Sequence, residues 1–391
     1  MSRQSLLCPS PDAAILRPLP RIRPSWSGSP LGVAWRETVG ELRERFLDLD
    51  RRIAPIEAAL RAAAPGPRAA AERAVGRGMA ASFAAEVHAA MAFLDERLGA
   101  VAAAEHPEER MQLQRRLHPI VLRSPFSFRT FAKPLGYAGD YAMVNMMFRE
   151  SLEGRGVGAQ LLNHAFLQTA PVVAHRNRVA ALAMHLRAAV DASADKGAGA
   201  AGPPLRVLSL GCGPAQEVQH ALARGWLRGP IEITLVDFNR ETLDAARGRL
   251  VELGAHGRPG VEIRYVERSV QELLRQLHAG GGDFAPGSYD LAYCAGLFDY
   301  LSPKICRRLC RAMVTLLAPA GLAIATNVSD ANPDRAWMEW VLEWNLAHRS
   351  RAEMEALIPV SRALGDARLH ADVTGVNWLL EMRKAAPRMA S

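Results

Sequence analysis

The chain has 391 residues, which is too long for a single hydrophobic core of ordinary size and predicts two domains. Hydrophobic residues make up 49% of it, enough to form both cores. Its formal net charge is +8, but the 44 arginines and four lysines are spread along the sequence. Proteins that bind nucleic acid typically have a clustered basic stripe, so we expect no nucleic-acid partner. No stretch approaches the roughly 20 apolar residues of a membrane span, and the five cysteines show neither a disulfide framework nor metal-ligand spacing. These features predict a cytoplasmic protein without a membrane span or a bound metal.

The N-terminal half is predicted to be helical after a disordered start. Residues 1–30 are rich in proline, serine and arginine and lack an apolar run, so we expect neither a signal peptide nor a packed core there. Residues 31–190 carry two sets of apolar residues at helical spacing: Val39, Leu42, Phe46, Leu49 and Ile53, then Phe83, Val87, Met91, Leu94 and Leu98. These two stripes indicate packing in a helical substrate domain, and a homodimer seam is the alternative.

Within this helical domain, residues 117–150 form the most unusual segment. Aromatics, prolines and methionines surround a Gly-Tyr-Ala-Gly-Asp turn that begins at Gly136, and a plain helix bundle has no need of such a mixture. Segments of this kind often carry function. We interpret it as a lid whose methionines and phenylalanines line an apolar channel, because methionine adapts to a flexible acyl chain. An inter-helix connection that fills the core is the alternative.

A second domain is predicted to begin after a linker. Residues 191–204 are dominated by alanine, glycine and proline, which is typical of a linker. Over residues 205–391, short apolar runs alternate with helical patterns, and the last two runs flank a tight turn at Thr374 and Gly375. The alternation predicts a mostly parallel sheet covered on both faces, closed by an antiparallel hairpin.

A glycine turn follows the first predicted strand of this domain. Gly211 and Gly213 allow the backbone to come close to a ligand, and Asp237, at the end of the second strand, can accept hydrogen bonds from both hydroxyls of a ribose. The dinucleotide fingerprint requires a third glycine where this chain has Gln216. S-adenosylmethionine (SAM) contains no phosphate and tolerates the larger residue, so the sequence predicts a SAM site.

The residues from Leu208 to Pro214, together with Asp237, resemble the motifs of class I SAM-dependent methyltransferases. Ser209 stands where that family usually has an acidic residue, and Ala215 where it often has a glycine. The expected fold is α/β, a Rossmann-like class I methyltransferase sheet with an N-terminal all-helical domain. The residues expected to bind SAM are Gly211, Cys212, Gly213, Asp237, Phe238, Ser269, Val270, Ala295 and Gly296.

Residues 332–358 are predicted to form a helical insertion in the second domain. Trp337, Trp340 and Trp344 recur at spacings of three and four, which places them on one face of such a helix. Core packing is the favoured role for this face, and the wall of an acyl tunnel is the alternative.

Five motifs carry a narrower resemblance: Gly136–Tyr141, His175–Arg178, Leu208–Ala215, Ala295–Tyr300 and Trp337–Trp344. Together they resemble the bacterial SAM-dependent methyltransferases associated with synthesis of 3-hydroxypalmitic acid methyl ester, a quorum signal. The resemblance spans roughly residues 110–385. It implies a helical N-terminal extension, SAM as the cofactor and the carboxyl group of a 3-hydroxy fatty acid as the methyl acceptor.

Methyl transfer from a sulfonium is an in-line displacement, so the protein must above all align the acceptor. A carboxylate is ionised at neutral pH and needs no general base, whereas a hydroxyl or an amine would need one. The candidate catalytic residues are His118, Tyr137, Asp140, Arg176 and Tyr300, with His175 and Asp299 as further candidates for a base. The expected partner is a small acceptor, an apolar-chain acid. N- or O-methylation of another metabolite, or a SAM-binding regulator without turnover, are the alternatives.

Overall fold

The computed structural model describes residues 32–62, 65–98, 101, 103–149, 151–195, 202–278 and 284–386. The predicted disordered segment 1–30 lies outside the described residues, as do residues 196–201 of the predicted linker. The chain divides into two compact units. The first comprises the described residues of Met1–Ala138, Glu150–Thr169 and Pro333–Trp344, and the second those of Gly139–Arg149, Ala170–Asn332 and Asn345–Ser391.

The elements of both units can be given in chain order. The described α-helices are α1 (Gly32–Arg61), α2 (Pro65–Leu98), α3 (Pro107–Val121), α4 (Pro125–Ala132), α5 (Tyr141–Met146), α6 (Gly156–Leu167), α7 (Ala170–Asp195), α8 (Gln216–Ala223), α9 (Arg240–Glu252), α10 (Val270–His278), α11 (Pro303–Leu316) and α12 (Arg351–Glu355). The strands are β1 (Leu205–Leu210), β2 (Ile231–Asp237), β3 (Val261–Glu267), β4 (Tyr289–Cys294), β5 (Leu317–Val328), β6 (Leu364–Ala371) and β7 (Asn377–Lys384). Across the described ranges, no helix is both long enough and apolar enough to cross a membrane.

The two predicted stripes form the core of the first unit. All the stripe residues, which lie on α1 and α2, are buried, from Val39 at 7% exposed to Leu42 at 0%. The ten residues therefore pack within the first unit, and the homodimer stays a prediction. Local signals set the ends of α4: the Ser124 side chain accepts a hydrogen bond from the backbone N–H of Ser127, and Lys133 ends the helix in a left-handed conformation with φ 47°.

The continuous helix predicted for residues 332–358 is wrong. A π-helix spans Trp337–Val341, Glu343 has a φ of 52°, and the next helix, α12, starts only after the Ser350 capping box. A left-handed residue cannot continue a right-handed helix, so Glu343 ends it. The chain then leaves the first unit after Trp344.

The three tryptophans of this segment are core residues of the first unit. Trp337 stacks between Phe46, at a ring-centroid distance of 5.6 Å, and Phe166, at 5.4 Å. Trp340 lies 5.2 Å from Trp35, and Trp344 is buried as well. These contacts support the packing role that the sequence favoured over the wall of an acyl tunnel.

The second unit contains the predicted sheet. Its seven strands lie in the order β3-β2-β1-β4-β5-β7-β6, with β1 to β5 parallel and β7 antiparallel to both β5 and β6. The Rossmann-like class I methyltransferase fold with a closing antiparallel hairpin is confirmed. Each inner strand sends alternate side chains to opposite faces: Val207 faces a core cluster built with α7, α8 and α9, whereas Leu208 faces one built with α10, α11 and α12.

Two further predictions about the second unit meet different outcomes. The predicted linker begins too early, because α7 remains helical to Asp195 and packs against α8. The sequence shows no disulfide framework, and the described cysteines, Cys212, Cys294, Cys306 and Cys310, are buried and form no disulfide.

Candidate active site

The ends of three neighbouring strands define the candidate site. Leu210 at the end of β1 pairs with Val236 of β2 on one side and with Cys294 of β4 on the other. The segments that follow these residues therefore meet at one edge of the sheet. The chain order of the strands reverses at this point, and open α/β sheets bind ligands in the crevice beside such a reversal.

The glycine turn after β1 adopts the backbone conformations that its glycines allow. Gly211 has a φ of 64° and Gly213 a φ of 52°, both in the left-handed region, and Ala215 follows at 53° just before α8. A Cβ at Gly211 would come within 3.1 Å of the Leu297 side chain, so this position needs a glycine for packing. A Cβ at Gly213 would meet no atom within 4 Å, so the turn borders open space there.

Asp237 holds the glycine turn against the end of β2. Its carboxylate is buried, Oδ2 accepts the backbone N–H of Gly213 at 3.1 Å, and Oδ1 accepts that of Asn239 at 3.0 Å. Burial raises the pKa of this carboxyl, while the backbone hydrogen bonds oppose the rise. A third backbone hydrogen bond, from Phe238, also lowers this pKa, and since an ionised carboxylate offers about four lone-pair positions, acceptor capacity for a further donor remains.

Two more predicted residues lie beside Asp237 and after β3. The ring of Phe238 is 55% exposed, which is unusual for a phenylalanine that directly follows a buried strand. Ser269 forms a capping box at the start of α10: its backbone N–H and its hydroxyl both donate to Glu272 Oε2 at 2.8 Å. Val270 is partly buried and packs against the hydrophobic cluster on the face of the sheet that Leu208 lines. The side chain of Ser269 is thus already used in a helix cap.

The turn after β4 is shaped by an arginine. Gly296 has a φ of 78°, and its backbone N–H donates to Thr326 Oγ1 at 3.0 Å. A Cβ at Gly296 would lie 2.8 Å from Nη2 of Arg178, so the glycine makes room for this guanidinium. The partly buried Ala295 packs against the cluster on the α7 face of the sheet.

The comparison with protein families identifies this part of the chain. Residues 207–321 match the model of the methyltransferase domain family, and this range contains the glycine turn, Asp237 and the turn after β4. This is the methyltransferase domain of a SAM-dependent enzyme.

Solved structures of other proteins have a fold similar to that of this methyltransferase. A "possible exported protein" from Bordetella parapertussis has a TM-score of 0.50 and 18% identity, covering 73% of this chain and 97% of that one. The magnesium protoporphyrin IX methyltransferase of Synechocystis with bound SAM has a TM-score of 0.37 and 14% identity, covering 55% and 82%. The N-methyltransferase of Bradyrhizobium japonicum with bound S-adenosylhomocysteine has a TM-score of 0.35 and 17% identity, and the match covers 54% of this chain and 86% of that one. At these identities the likeness concerns the fold alone. A search of curated proteins finds no significant match.

The site of the methyltransferase suits a nucleoside cofactor such as SAM. Open space borders the backbone at Gly213, the Asp237 carboxylate retains acceptor capacity beside it, and an aromatic ring is exposed at Phe238. A ribose supplies two hydroxyl donors and an adenine supplies a flat face, which these groups match.

A buried charge cluster lies under the methyltransferase turn that contains Gly296. Arg178 is 4% exposed; its Nη2 donates to His175 Nδ1 at 2.8 Å, and its Nη1 lies 3.8 Å from Asp299 Oδ2. Burial raises the pKa of Asp299 to about 6, although Arg178 opposes the rise. Desolvation lowers the pKa of His175 well below its ordinary value, and Arg178 adds to the effect. The imidazole is therefore neutral and accepts from the guanidinium.

Sequence reasoning missed one carboxylate of this site. Glu217, in the first turn of α8, is 4% exposed, and its Oε1 accepts the hydroxyl of Tyr293 at 3.0 Å. Burial raises the pKa of Glu217, and Arg178 opposes this. Ser209, where related methyltransferases carry an acid, is buried on β1 nearby in sequence. The sequence gives no signal for Glu217, because its partner Tyr293 lies on a strand that is distant along the chain.

Part of the predicted lid belongs to the methyltransferase unit. Residues 139–149 are tied to it at two points: Gln216 Nε2 donates to Asn145 Oδ1 at 2.6 Å, and the Tyr141 hydroxyl donates to Glu241 Oε1 at 2.9 Å. A Cβ at Gly139 would come within 2.5 Å of the Tyr300 hydroxyl, so this glycine lets the segment approach the turn after β4. The three methionines of the segment are buried: Met143, Met146 and Met147.

The predicted catalytic residues fall into two groups. Asp140, Arg176 and Tyr300 belong to the second unit, whereas His118 and Tyr137 belong to the first. Asp140 Oδ1 caps α5 by accepting the Met143 N–H at 2.8 Å, and Arg176 Nη1 donates to the Met147 carbonyl at 3.2 Å.

The contacts of the remaining candidates are also defined. Nε2 of His118 lies 2.9 Å from the Val341 carbonyl, and desolvation lowers the pKa of this histidine. Tyr300 is 45% exposed. The two histidines considered as bases, His118 and His175, are thus both engaged through a ring nitrogen.

Proposed function

We propose that this methyltransferase transfers the SAM methyl group to the carboxylate of a 3-hydroxy fatty acid, forming a methyl ester. SAM supplies the electrophilic methyl group when bound. That the acceptor is a fatty acid is implied by the resemblance of the five motifs to the methyltransferases of 3-hydroxypalmitic acid methyl ester synthesis. That the methylated group is its carboxylate is supported by the side chains around the site.

The observation that carries the proposal is that the candidate bases of the second unit each make a hydrogen bond that holds part of the fold. His175 Nδ1 accepts from Arg178, Asp140 Oδ1 caps α5, and Asp299 Oδ1 accepts the backbone N–H of Val328 at 2.7 Å. Hydroxyl and amine acceptors require a group that takes a proton, whereas a carboxylate is already ionised. An acceptor that needs no base fits this arrangement best, because the protein then has only to orient it.

We assign the cofactor contacts to the residues after the first three strands. Asp237 accepts a ribose hydroxyl with its remaining acceptor capacity, and the exposed ring of Phe238 stacks on the adenine. The Gly211–Gly213 turn runs beside the methionine part, while Ser269 and Val270 border the adenine edge. Ala295 and Gly296 lie toward the methyl group.

We assign a further electrostatic role to Glu217. The methionine part of SAM carries an ammonium group, and position 209 provides no carboxylate for it. Glu217 supplies the nearest negative charge to the glycine turn along the chain, in the first turn of α8. Tyr293 holds its carboxyl group in position through the 3.0 Å hydrogen bond.

The test of the acceptor is a product analysis with matched substrates. The purified chain is incubated with methyl-labelled SAM and either 3-hydroxypalmitate, the corresponding diol or the corresponding amine. The proposal expects a labelled methyl ester from the acid only. A labelled ether from the diol, or a methylated amine, would instead establish the alternative acceptors.

A variant separates the base-free mechanism from a base-dependent one. Asp299→Asn removes the one candidate whose pKa of about 6 would suit a base. If the acceptor is a carboxylate, the folded variant keeps ester formation within about tenfold of the original rate, because no proton has to be removed. A loss of more than about a thousandfold with an unchanged melting temperature would mean that Asp299 takes a proton.

A further inference from the structure

Two buried groups of opposite charge contact residues at the end of β4. Glu217 Oε1 accepts the hydroxyl of Tyr293, which lies on β4, at 3.0 Å. The guanidinium of Arg178 lies against Gly296 in the turn after β4, where a Cβ would come within 2.8 Å of Nη2 and 3.1 Å of Nη1. Glu217 and Arg178 are each 4% exposed. The end of β4 therefore anchors a buried carboxylate and a buried guanidinium.

These two charges influence each other without forming an ion pair. Burial lowers the pKa of Arg178, and Asp299 and Glu217 are among the groups that oppose the fall. Burial raises the pKa of Glu217, and Arg178 is among the groups that oppose the rise. Among the described residues, Arg178 pairs with Asp299, whereas Glu217 forms no ion pair. Opposite charges arranged in this way match a ligand that carries both signs.

The ion pair with Asp299 leaves donors of Arg178 unfilled. A guanidinium has five N–H groups. Nη2 donates to His175 Nδ1 at 2.8 Å, but Nη1 lies 3.8 Å from Asp299 Oδ2, which is beyond hydrogen-bond distance. The buried Nε donates to no acceptor in the described part of the chain. The Val328 N–H holds Asp299 in place by donating to its Oδ1 at 2.7 Å. Arg178 therefore retains donors for a further carboxylate, which arginine binds through paired hydrogen bonds.

The methionine end of SAM has the matching charges. One of its carbon atoms carries both an ammonium and a carboxylate, so its site must present a negative and a positive group close together. Glu217 is assigned above to the ammonium, since Ser209 provides no acid. A carboxylate next to Glu217 would be repelled unless a cation also faced it, and Arg178 supplies that cation.

We propose that Arg178 binds the carboxylate at the methionine end of SAM, opposite the ammonium that Glu217 binds. Because the guanidinium also lies against Gly296, this contact positions the methionine part beside the turn after β4. The inference rests on the cofactor contacts proposed above and does not depend on the identity of the methyl acceptor.

Two ligands that differ in one group test the assignment on the full chain without an acceptor. Decarboxylated SAM keeps the adenosine, the sulfonium and the ammonium and lacks the carboxylate. We expect calorimetric titration to give a Kd for SAM about tenfold below that for decarboxylated SAM, which corresponds to one charge-assisted contact. In Arg178→Gln the Kd for SAM should rise to that of decarboxylated SAM, whose own Kd should not rise. Equal Kd values for the two ligands in the original chain would overturn the proposal without any variant.

Matched variants separate the charge contact from a folding defect. Glu217→Gln should weaken both ligands by a similar factor, since both carry the ammonium. Arg187→Gln, at an exposed arginine of α7 that pairs with Asp191, should leave both Kd values unchanged. If Arg178→Gln weakened both ligands equally, the arginine would have a structural role only and the assignment would be wrong.

A second substitution keeps the test decisive if Arg178→Gln does not fold. Arg178→Lys retains a positive charge, but an ammonium cannot form the paired hydrogen bonds of a guanidinium. It should therefore reduce the preference for SAM over decarboxylated SAM. An undiminished preference in this variant would count against the contact.

The acceptor is the other reactant that is proposed to carry a carboxylate. Its binding is measured by titrating 3-hydroxyoctanoate into the chain saturated with S-adenosylhomocysteine, which has no methyl group to transfer. Arg178→Gln should leave this Kd unchanged. A rise in it, together with an unaltered preference for SAM, would assign the guanidinium to the acceptor and overturn the proposal. The cofactor titrations involve no methyl transfer, so a failure of ester formation leaves them valid.

Discussion

At the scale of single residues, the site depends on carboxylates whose surroundings assign them different tasks. Asp237 lies at the end of β2 beside the glycine turn and retains acceptor capacity for a ligand, whereas Asp299 accepts the Val328 N–H and lies 3.8 Å from Arg178. Glu217 is buried and accepts the hydroxyl of Tyr293. The three carboxylates differ in the hydrogen bonds that they accept, and these bonds, not their positions in the sequence, distinguish their roles.

The role assigned to Asp237 predicts a defined loss of cofactor affinity. Asp237→Ala removes a charge-assisted contact of about 1.5–3 kcal/mol, so the Kd for SAM should rise at least about tenfold. Calorimetric titration measures this change. Asp244→Ala, which removes an exposed carboxylate of α9 that pairs with Arg240, is the control and should leave the Kd unchanged. An unaltered titration of Asp237→Ala would reject the ribose assignment.

The raised pKa of Asp299 predicts a pH dependence of stability. Its folded-state pKa is about 6 against an ordinary value of 3.8, so the native state binds more protons than the unfolded state between these values. Stability therefore decreases as pH rises through this window, by about 2–3 kcal/mol from this group. Denaturant unfolding at acid and neutral pH should show the decrease, and Asp299→Asn should remove it. The exposed Asp366→Asn is the control, and an equal slope in both variants would contradict the assignment.

The residues that could be predicted from sequence are those whose environment is local. The turn at Gly211 and Gly213 and the carboxylate of Asp237 follow from motif spacing and from the buried strands that flank them. Glu217 could not be found in this way, because its partner Tyr293 is distant in sequence and becomes a neighbour only when β4 pairs with β1. Arg178 and Asp299 lie in motifs that the sequence does single out, but the ion pair between them forms only in the fold.

At the scale of elements, the strands were predictable and the segment after β5 was not. Buried parallel strands produce apolar runs bounded by turn residues, so each strand left a signal in the sequence. Residues 332–358 carry tryptophans at helical spacing, but the left-handed Glu343 interrupts the helix and the chain changes unit after Trp344. A pattern of side chains cannot reveal a backbone reversal at a single non-glycine residue.

The short helix α5 gives a prediction at this scale. Asp140→Ala removes its N-cap, a loss of about 0.5–2 kcal/mol for the helix, and should loosen residues 139–149. If this segment acts as the lid, turnover falls more than SAM affinity does, because the segment approaches Tyr300 in the turn after β4. Steady-state rates and SAM titrations measure the two effects separately.

A matched variant controls for general destabilisation by cap loss. Ser350→Ala removes the capping box of α12, which is a comparable change at another helix start. It should leave the ratio of turnover to SAM affinity unchanged. If Asp140→Ala changes turnover and affinity equally, the segment has a structural role only.

At the scale of the whole molecule, each unit has a hydrophobic core of its own. We therefore expect SAM binding to stabilise the second unit and a core substitution to destabilise the first. SAM at about 100 times its Kd stabilises the unit that binds it by about 2.7 kcal/mol. Trp337→Ala leaves a cavity between Phe46 and Phe166 and should cost the first unit about 3–5 kcal/mol.

Hydrogen exchange resolved along the chain distinguishes the two responses. SAM should slow exchange in α8 and at the end of β2, whereas Trp337→Ala should speed exchange in α1 and α6. The effect of SAM on α8 should persist in the variant, because its contacts come from residues of the second unit. If Trp337→Ala abolished the SAM protection of α8 at saturating cofactor, the binding site would depend on the packing of the helical unit, and the assignment of the cofactor to second-unit residues alone would be wrong.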